Sequence, residues 1–275
     1  MCLTPKQFPT LAEIQITMKT IKTLLFCFAL IAIYATSTAQ NKELYQIKTY
    51  NLKSEAQLNV TENYLKDAYL PALKKLGIKS VGVFKPKTFA ADSITKLIVV
   101  IPFKNAKKFL QLDQKLAKDP VYLKAGTDYI NAKYNQAPYE RIESVLLTAF
   151  SNHPMLTLPK LDSPRSERVY ELRSYESATE AIYNTKVDMF IGGEESKIFD
   201  RLEFNPVFYG EVVSGGKMPN LMYLTTFANQ ESRDAHWKAF VDSPEWKALL
   251  KLEKYKNTIS HMDILFLYPT DYSDY

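Results

Sequence analysis

At 275 residues the chain is too long for one small domain and comfortable for two of about 100–120. Its 46% apolar and 24% charged residues are the balance of an ordinary globular protein, not of a disordered tail or a membrane bundle. A formal charge of +5 spread over singly scattered lysines makes no basic stripe, which argues against a nucleic-acid partner.

From Met18 the chain reads MKTIKTLLFCFALIAIYATSTAQ. Lys19 and Lys22 make a short positive region, residues 24–35 an apolar run, and Ser37-Thr38-Ala39 a small-residue cleavage site before Gln40. This is the pattern of a secretory signal peptide, so residues 1–39 are set apart and Met18 reads as the start. The apolar run falls short of the roughly 20 residues that span a bilayer. No stable membrane insertion is expected after cleavage, and the mature chain is expected in the periplasm or outside the cell. Both cysteines, Cys2 and Cys27, lie in the discarded part. The remainder then has no disulfide and no thiolate, and with three histidines neither a dedicated metal site nor a cofactor is expected.

A strand is predicted at 44–50, rich in Tyr, Ile and Thr. Residues 61–76 place Tyr64, Leu65, Ala68, Ala72, Leu73 and Leu76 on one helical stripe that Gly77 stops. Strands follow at 80–84 and 97–103, then a second helix capped by Asn105 and carrying Phe109, Leu112 and Leu116. A strand at 141–150 closes the unit. Residues 151–167, with Pro154, Pro159 and Pro164, read as a linker. The same order then recurs: a strand at 169–175, helix over 179–202 broken at Gly192-Gly193, strands near 207–213 and 221–227, a helix near 231–241, a short helix from Ser243-Pro244, and a strand near 260–267.

The recurrence is visible in the residues. Tyr45-Gln-Ile-Lys-Thr-Tyr50 resembles Tyr170-Glu-Leu-Arg-Ser-Tyr175 at an offset of 125. At an offset of 124, residues 97–103 match 221–227, and Asp119-Pro-Val-Tyr122 matches Ser243-Pro-Glu-Trp246. Each copy, 40–150 and 168–275, has the ferredoxin-like order β-α-β-β-α-β. An open sheet with helices on one face leaves the other bare, so apolar runs such as LIVVI and LMYL need a partner sheet. The predicted fold is α+β: tandem ferredoxin-like repeats forming a pseudo-dimeric α+β barrel, with a cavity inside each unit between sheet and helices.

In the second copy, YELRSY, VFYGEVVSGGKMPNLMYLTTF and RDAHWKAFVDSPEWK together resemble the NIPSNAP family over 168–271. The first copy lacks the Met218-Pro219-Asn220 segment and both tryptophans, and reads as a degenerate repeat. The resemblance implies the dimeric α+β barrel group, which includes cofactor-independent monooxygenases, haem-handling enzymes and plain binding proteins. It carries over no catalytic set, and fold alone does not assign a reaction.

Candidate residues therefore come from chemistry. His261 and Asp263 share a strand face, so the carboxylate can orient the imidazole as in a base–orienter pair. His236, beside Trp237, is a third candidate catalytic group. Arg173 shares a face with Glu171, either as a structural ion pair or as an anion site. Tyr209, Glu211 and Tyr223 are candidate ligand contacts, or simply core. The expected function is binding of a small apolar or aromatic ligand in the C-terminal unit, with at most a monooxygenase-like or isomerase-like activity. The alternative is a non-catalytic interaction module working as a homo-oligomer, to which a split of +9 over 40–160 and −6 over 161–275 would contribute attraction between copies. Intact-mass spectrometry of protein made in its own host should show a chain beginning at Gln40; a retained Met18 would refute export by this signal.

Overall fold

Backbone hydrogen-bonding needs and apolar alternation produce the same run of elements twice. The computed structural model describes residues 42–87 and 95–275, and Asn41–Tyr275 form one unit. The expected signal segment, residues 1–39, lies outside the described residues. Among the described residues no helix is long and apolar enough to cross a membrane.

In the first copy, β1 (Leu44–Leu52) leads into α1 (Glu55–Asn63). That helix starts earlier than the stripe from Thr61 suggests. Ser54 accepts the Gln57 N–H at 3.2 Å, and the Gln57 side chain accepts the Lys53 N–H at 2.9 Å. The Ser-x-x-Gln spacing that allows this capping is present in the sequence. The helix widens into a π-helical stretch (Tyr64–Tyr69), continues as α2 (Leu70–Lys75), and stops near Gly77, whose φ is +77°. Strands β2 (Gly82–Pro86) and β3 (Thr95–Phe103) follow. The expected second helix is instead four short ones: α3 (Ala106–Leu110), α4 (Leu112–Leu116), α5 (Pro120–Ala125) and α6 (Thr127–Ile130). Strand β4 (Arg141–Ala149) closes the copy.

The second copy runs β5 (Val169–Glu176), α7 (Glu180–Ile191), α8 (Glu195–Arg201), β6 (Pro206–Ser214), β7 (Asn220–Phe227), α9 (Gln230–Asp242), α10 (Pro244–Leu249) and β8 (His261–Pro269). Its helix caps repeat those of the first: Thr179 answers Ser54, Asn229 answers Asn105, and Ser243 answers Asp119. The break between α7 and α8 falls at Gly192-Gly193. A Cβ on Gly193 would stand 2.6 Å from the Met189 carbonyl oxygen, so no larger residue fits there without movement.

Each copy forms an antiparallel sheet, in the order β4-β1-β3-β2 and β8-β5-β7-β6. The outer strands then pair across copies, β2 with β8 and β4 with β6, and all eight make a closed barrel. Closure covers part of each sheet edge, along Leu267–Pro269 of β8 and Leu146–Ala149 of β4. Where β6 meets β4, a Cβ on Gly210 would come 3.0 Å from that of Leu147, so glycine suits this close approach.

The tandem ferredoxin-like barrel is thus the fold. Its inner surface takes alternate residues of the strands from both copies, among them Tyr45 and Ile47, Leu147, Tyr170 and Leu172, Leu224 and Leu267. One half of the interior is filled by the rings of Tyr45, Phe84, Tyr170, Phe208 and Tyr275. The C-terminal tail carries Tyr275 there, held by Thr270 N–H to the Val83 carbonyl (2.9 Å) and Val83 N–H to Ser273 Oγ (3.0 Å). The outer faces pack under the helices as two further cores, one per copy.

Because Leu224 is fully buried where residues of both sheets meet, Leu224→Ala should cost about 2–5 kcal/mol. Urea unfolding followed by far-UV dichroism and by Trp237 and Trp246 fluorescence should move by the same amount in both signals, since the repeats share this core.

Candidate functional site

The helix-facing side of the second copy, where a cavity is expected from sequence, is filled instead. Phe190, Phe199, Phe204, Tyr209, Tyr223 and Phe240 are buried there in mutual ring contact. Fully buried Tyr209 and Tyr223 have ring centroids 5.6 Å apart. The Tyr209 hydroxyl has no hydrogen-bond partner among the described residues, and burial pushes it well above the usual phenol range.

Beside these rings lies a saturated charge network. The fully buried Glu171 carboxylate accepts from Arg173 Nε (2.6 Å), from Arg233 through Nε (2.8 Å) and Nη2 (2.9 Å), and from Trp237 Nε1 (2.8 Å). Arg173 also donates to Tyr175 Oη (2.9 Å), which is 2.7 Å from Tyr223 Oη, and its guanidinium sits 3.6 Å from the centre of the Trp237 ring. Both Glu171 carboxylate oxygens are engaged within the protein, as a buried charge requires. Of the candidate ligand contacts, Arg173 and Tyr223 therefore share one network, and Tyr209 packs against it. Glu211 stands apart, 3.7 Å from Lys42. The partners Arg233 and Trp237 have one sequence signal, their i, i+4 spacing on a predicted helix face.

His236 is half-buried on α9, its ring against Phe204 and Phe227 and its Nδ1 on the Ser232 carbonyl. It borders a shallow depression with Arg201, Leu202 and Glu203. It does not meet His261 or Asp263.

Open space lies between the two sheets. At the end of the barrel away from the Tyr275 plug, a cavity of about 700 Å³ has an apolar wall including Ile47, Ile98, Val145, Leu172, Val212 and Met222. Both copies contribute to it. Its rim is polar: Thr49, Lys96, Glu143, Ser174, Asn220, Lys217 and Asp263. Ser174 and Asn220 hydrogen-bond each other across β5 and β7 (2.8 Å). Sequence reasoning missed Ser174 because it fixed on the Glu171–Arg173 face of β5; the alternate set Tyr170, Leu172, Ser174 is the one that points into the barrel.

Asp263 is the candidate catalytic residue that lines this space. His261 Nε2 is 3.2 Å from Asp263 Oδ1, at the exposed rim. A hydrogen bond from Lys217, with His261 adding to it, holds the Asp263 carboxyl below its usual range against the opposing effect of burial. The two side chains are thus in hydrogen-bond contact and open to solvent.

This architecture is that of the dimeric α+β barrels, folded from a single chain. A proposed monooxygenase from Lactobacillus acidophilus NCFM is similar in fold, with a TM-score of 0.54 at 12% identity over 83% of this chain and 94% of that one. Another from Fusobacterium nucleatum subsp. nucleatum has a TM-score of 0.53 at 10% identity, over 84% and 93%. A NIPSNAP family protein from Agrobacterium tumefaciens str. C58 is 17% identical over 39% of this chain and 98% of that one, with a TM-score of 0.35. Residues 170–274, within the second repeat, match the NIPSNAP family model. No curated protein sequence matches the chain.

Burial alone would raise the Glu171 carboxyl, but the Arg233 hydrogen bonds and the Arg173 and Arg233 charges outweigh it and keep it below the usual carboxylate range. A carboxyl depressed in the folded state adds stability that is full above its unfolded value, about 4.3, and is lost as pH falls through the folded value. Glu171→Gln should cost about 3–5 kcal/mol at pH 7 by leaving two arginines without their anion. Its urea midpoint should also depend less on pH between 7 and 3 than that of the wild type.

Proposed function

We propose that this protein binds a small, largely apolar or aromatic ligand in the cavity at the mouth of the barrel. The observation that carries the reading is the cavity itself: about 700 Å³, apolar inside and polar at the rim. That size and lining are typical of sites that enclose most of a small ligand and orient it by a few polar groups. In this reading the apolar body packs against Leu172, Met222 and Val145, while a polar end meets Ser174, Asn220 or Lys217. The site belongs to both repeats, so the C-terminal unit supplies only part of it. The signal-peptide-like pattern from Met18 to Ala39 supports a site of action outside the cytoplasm. Two fold neighbours are described as proposed monooxygenases, but at 12% and 10% identity they bring fold and no reaction.

Filling the cavity tests the proposal. Met222→Trp should weaken binding of N-phenyl-1-naphthylamine at least about tenfold, with an unchanged far-UV spectrum. Native mass spectrometry of wild-type protein from its own host should show a bound small molecule that the variant lacks. Equal probe affinity in the two proteins would refute the assignment.

A further inference from the structure

Among the groups outside the cavity wall, one set on the rim is brought together only by strand pairing. Glu176 on β5 is the direct antiparallel partner of His261 on β8, and Asp263 lies two residues further along the same face. One ligand atom from each of the three lies within 4.8 Å of the others. We propose that Glu176, His261 and Asp263 form a binding site for a divalent transition-metal ion at the barrel mouth, with the ammonium of Lys217 as the built-in cation that the metal displaces. This proposal stands independently of the apolar-ligand reading.

The donor chemistry selects the ion. Two carboxylates and one imidazole suit Zn²⁺, Mn²⁺ or Co²⁺; Ca²⁺ requires six to eight oxygens, and soft ions require sulfur. Three protein ligands leave further positions for water or another group, the arrangement of an exchangeable site rather than a closed structural one.

Lys217 already sets a positive charge against these carboxylates. It follows Gly215-Gly216 in the β6–β7 connection, hydrogen-bonds Asp263, and holds its Nζ 3.7 Å from Glu176 Oε1. Its side chain is 57% exposed, so it can leave for solvent without crossing packed structure. The ammonium and a metal ion compete for the same carboxylates, and like charges this close repel. Lys217 therefore sets the metal affinity. Counting cysteines and histidines along the chain leads to the expectation of no metal site, because this donor set is mostly carboxylate and spans 176 to 263.

Isothermal titration of the purified protein with ZnCl₂, and separately with MnCl₂ and CaCl₂, tests the proposal. One Zn²⁺ per chain is expected, with Ca²⁺ binding much more weakly. Lys217→Met should tighten Zn²⁺ binding by on the order of tenfold. His261→Ala and Asp263→Asn, each made in the Lys217→Met background, should weaken it at least about tenfold, with thermal melts reporting that both remain folded. Absence of saturable Zn²⁺ binding in wild type and Lys217→Met alike would overturn the site. So would equal affinity in those two proteins, or binding that survives loss of His261.

Discussion

Two apolar sheet faces, each left bare by the helices on its other side, must be hidden from water, and the rest of the architecture follows from how they are. A four-stranded ferredoxin-like sheet cannot cover its own free face. Joining two copies in one chain makes the partner always available and avoids the entropy of bringing two molecules together. Pairing β2 with β8 and β4 with β6 then satisfies part of the outer strands' backbone groups. A single barrel replaces two open sheets.

Closure also decides where empty space can exist. Under the helices of the second copy, rings from Phe190 to Phe240 interlock, and Glu171 gathers two arginines and an indole N–H around one carboxylate. Among the described residues, that side is filled by interlocking rings and its buried carboxylate is paired. Inside the barrel, large rings crowd one end while Thr49, Ser174 and Met222 stand toward the other. The taper from tyrosine and phenylalanine to smaller side chains is what leaves the cavity.

The mouth combines two chemistries that rarely sit together by packing alone. The wall is apolar, yet Lys217, Asp263, Glu176 and His261 make a compact charged group on its lip. Their partial exposure keeps the desolvation cost low, so the group persists without the saturated hydrogen bonding that Glu171 needs. Being accessible, it is also free to exchange partners.

Much of the fold was legible in the residues. The duplication at offsets of 124 and 125, the strand alternation, the caps Asn105 and Ser243, and the break at Gly192-Gly193 are all local signals, and local physics governs them. The face of each strand that turns inward was not legible. In β5 both alternating sets, Tyr170-Leu172-Ser174 and Glu171-Arg173-Tyr175, carry aromatic and polar residues, so periodicity cannot rank them. Only the packing of α9 settled it, by placing Arg233 and Trp237 against Glu171. Nor could the chain alone bring Glu176 to His261, 85 positions away, since that contact exists only through the β5–β8 register. Sequence by itself determined the elements and their repetition, because hydrogen bonding and capping act over a few residues. Tertiary structure decided the cavity and its rim, because those arise from distances between residues far apart in the chain.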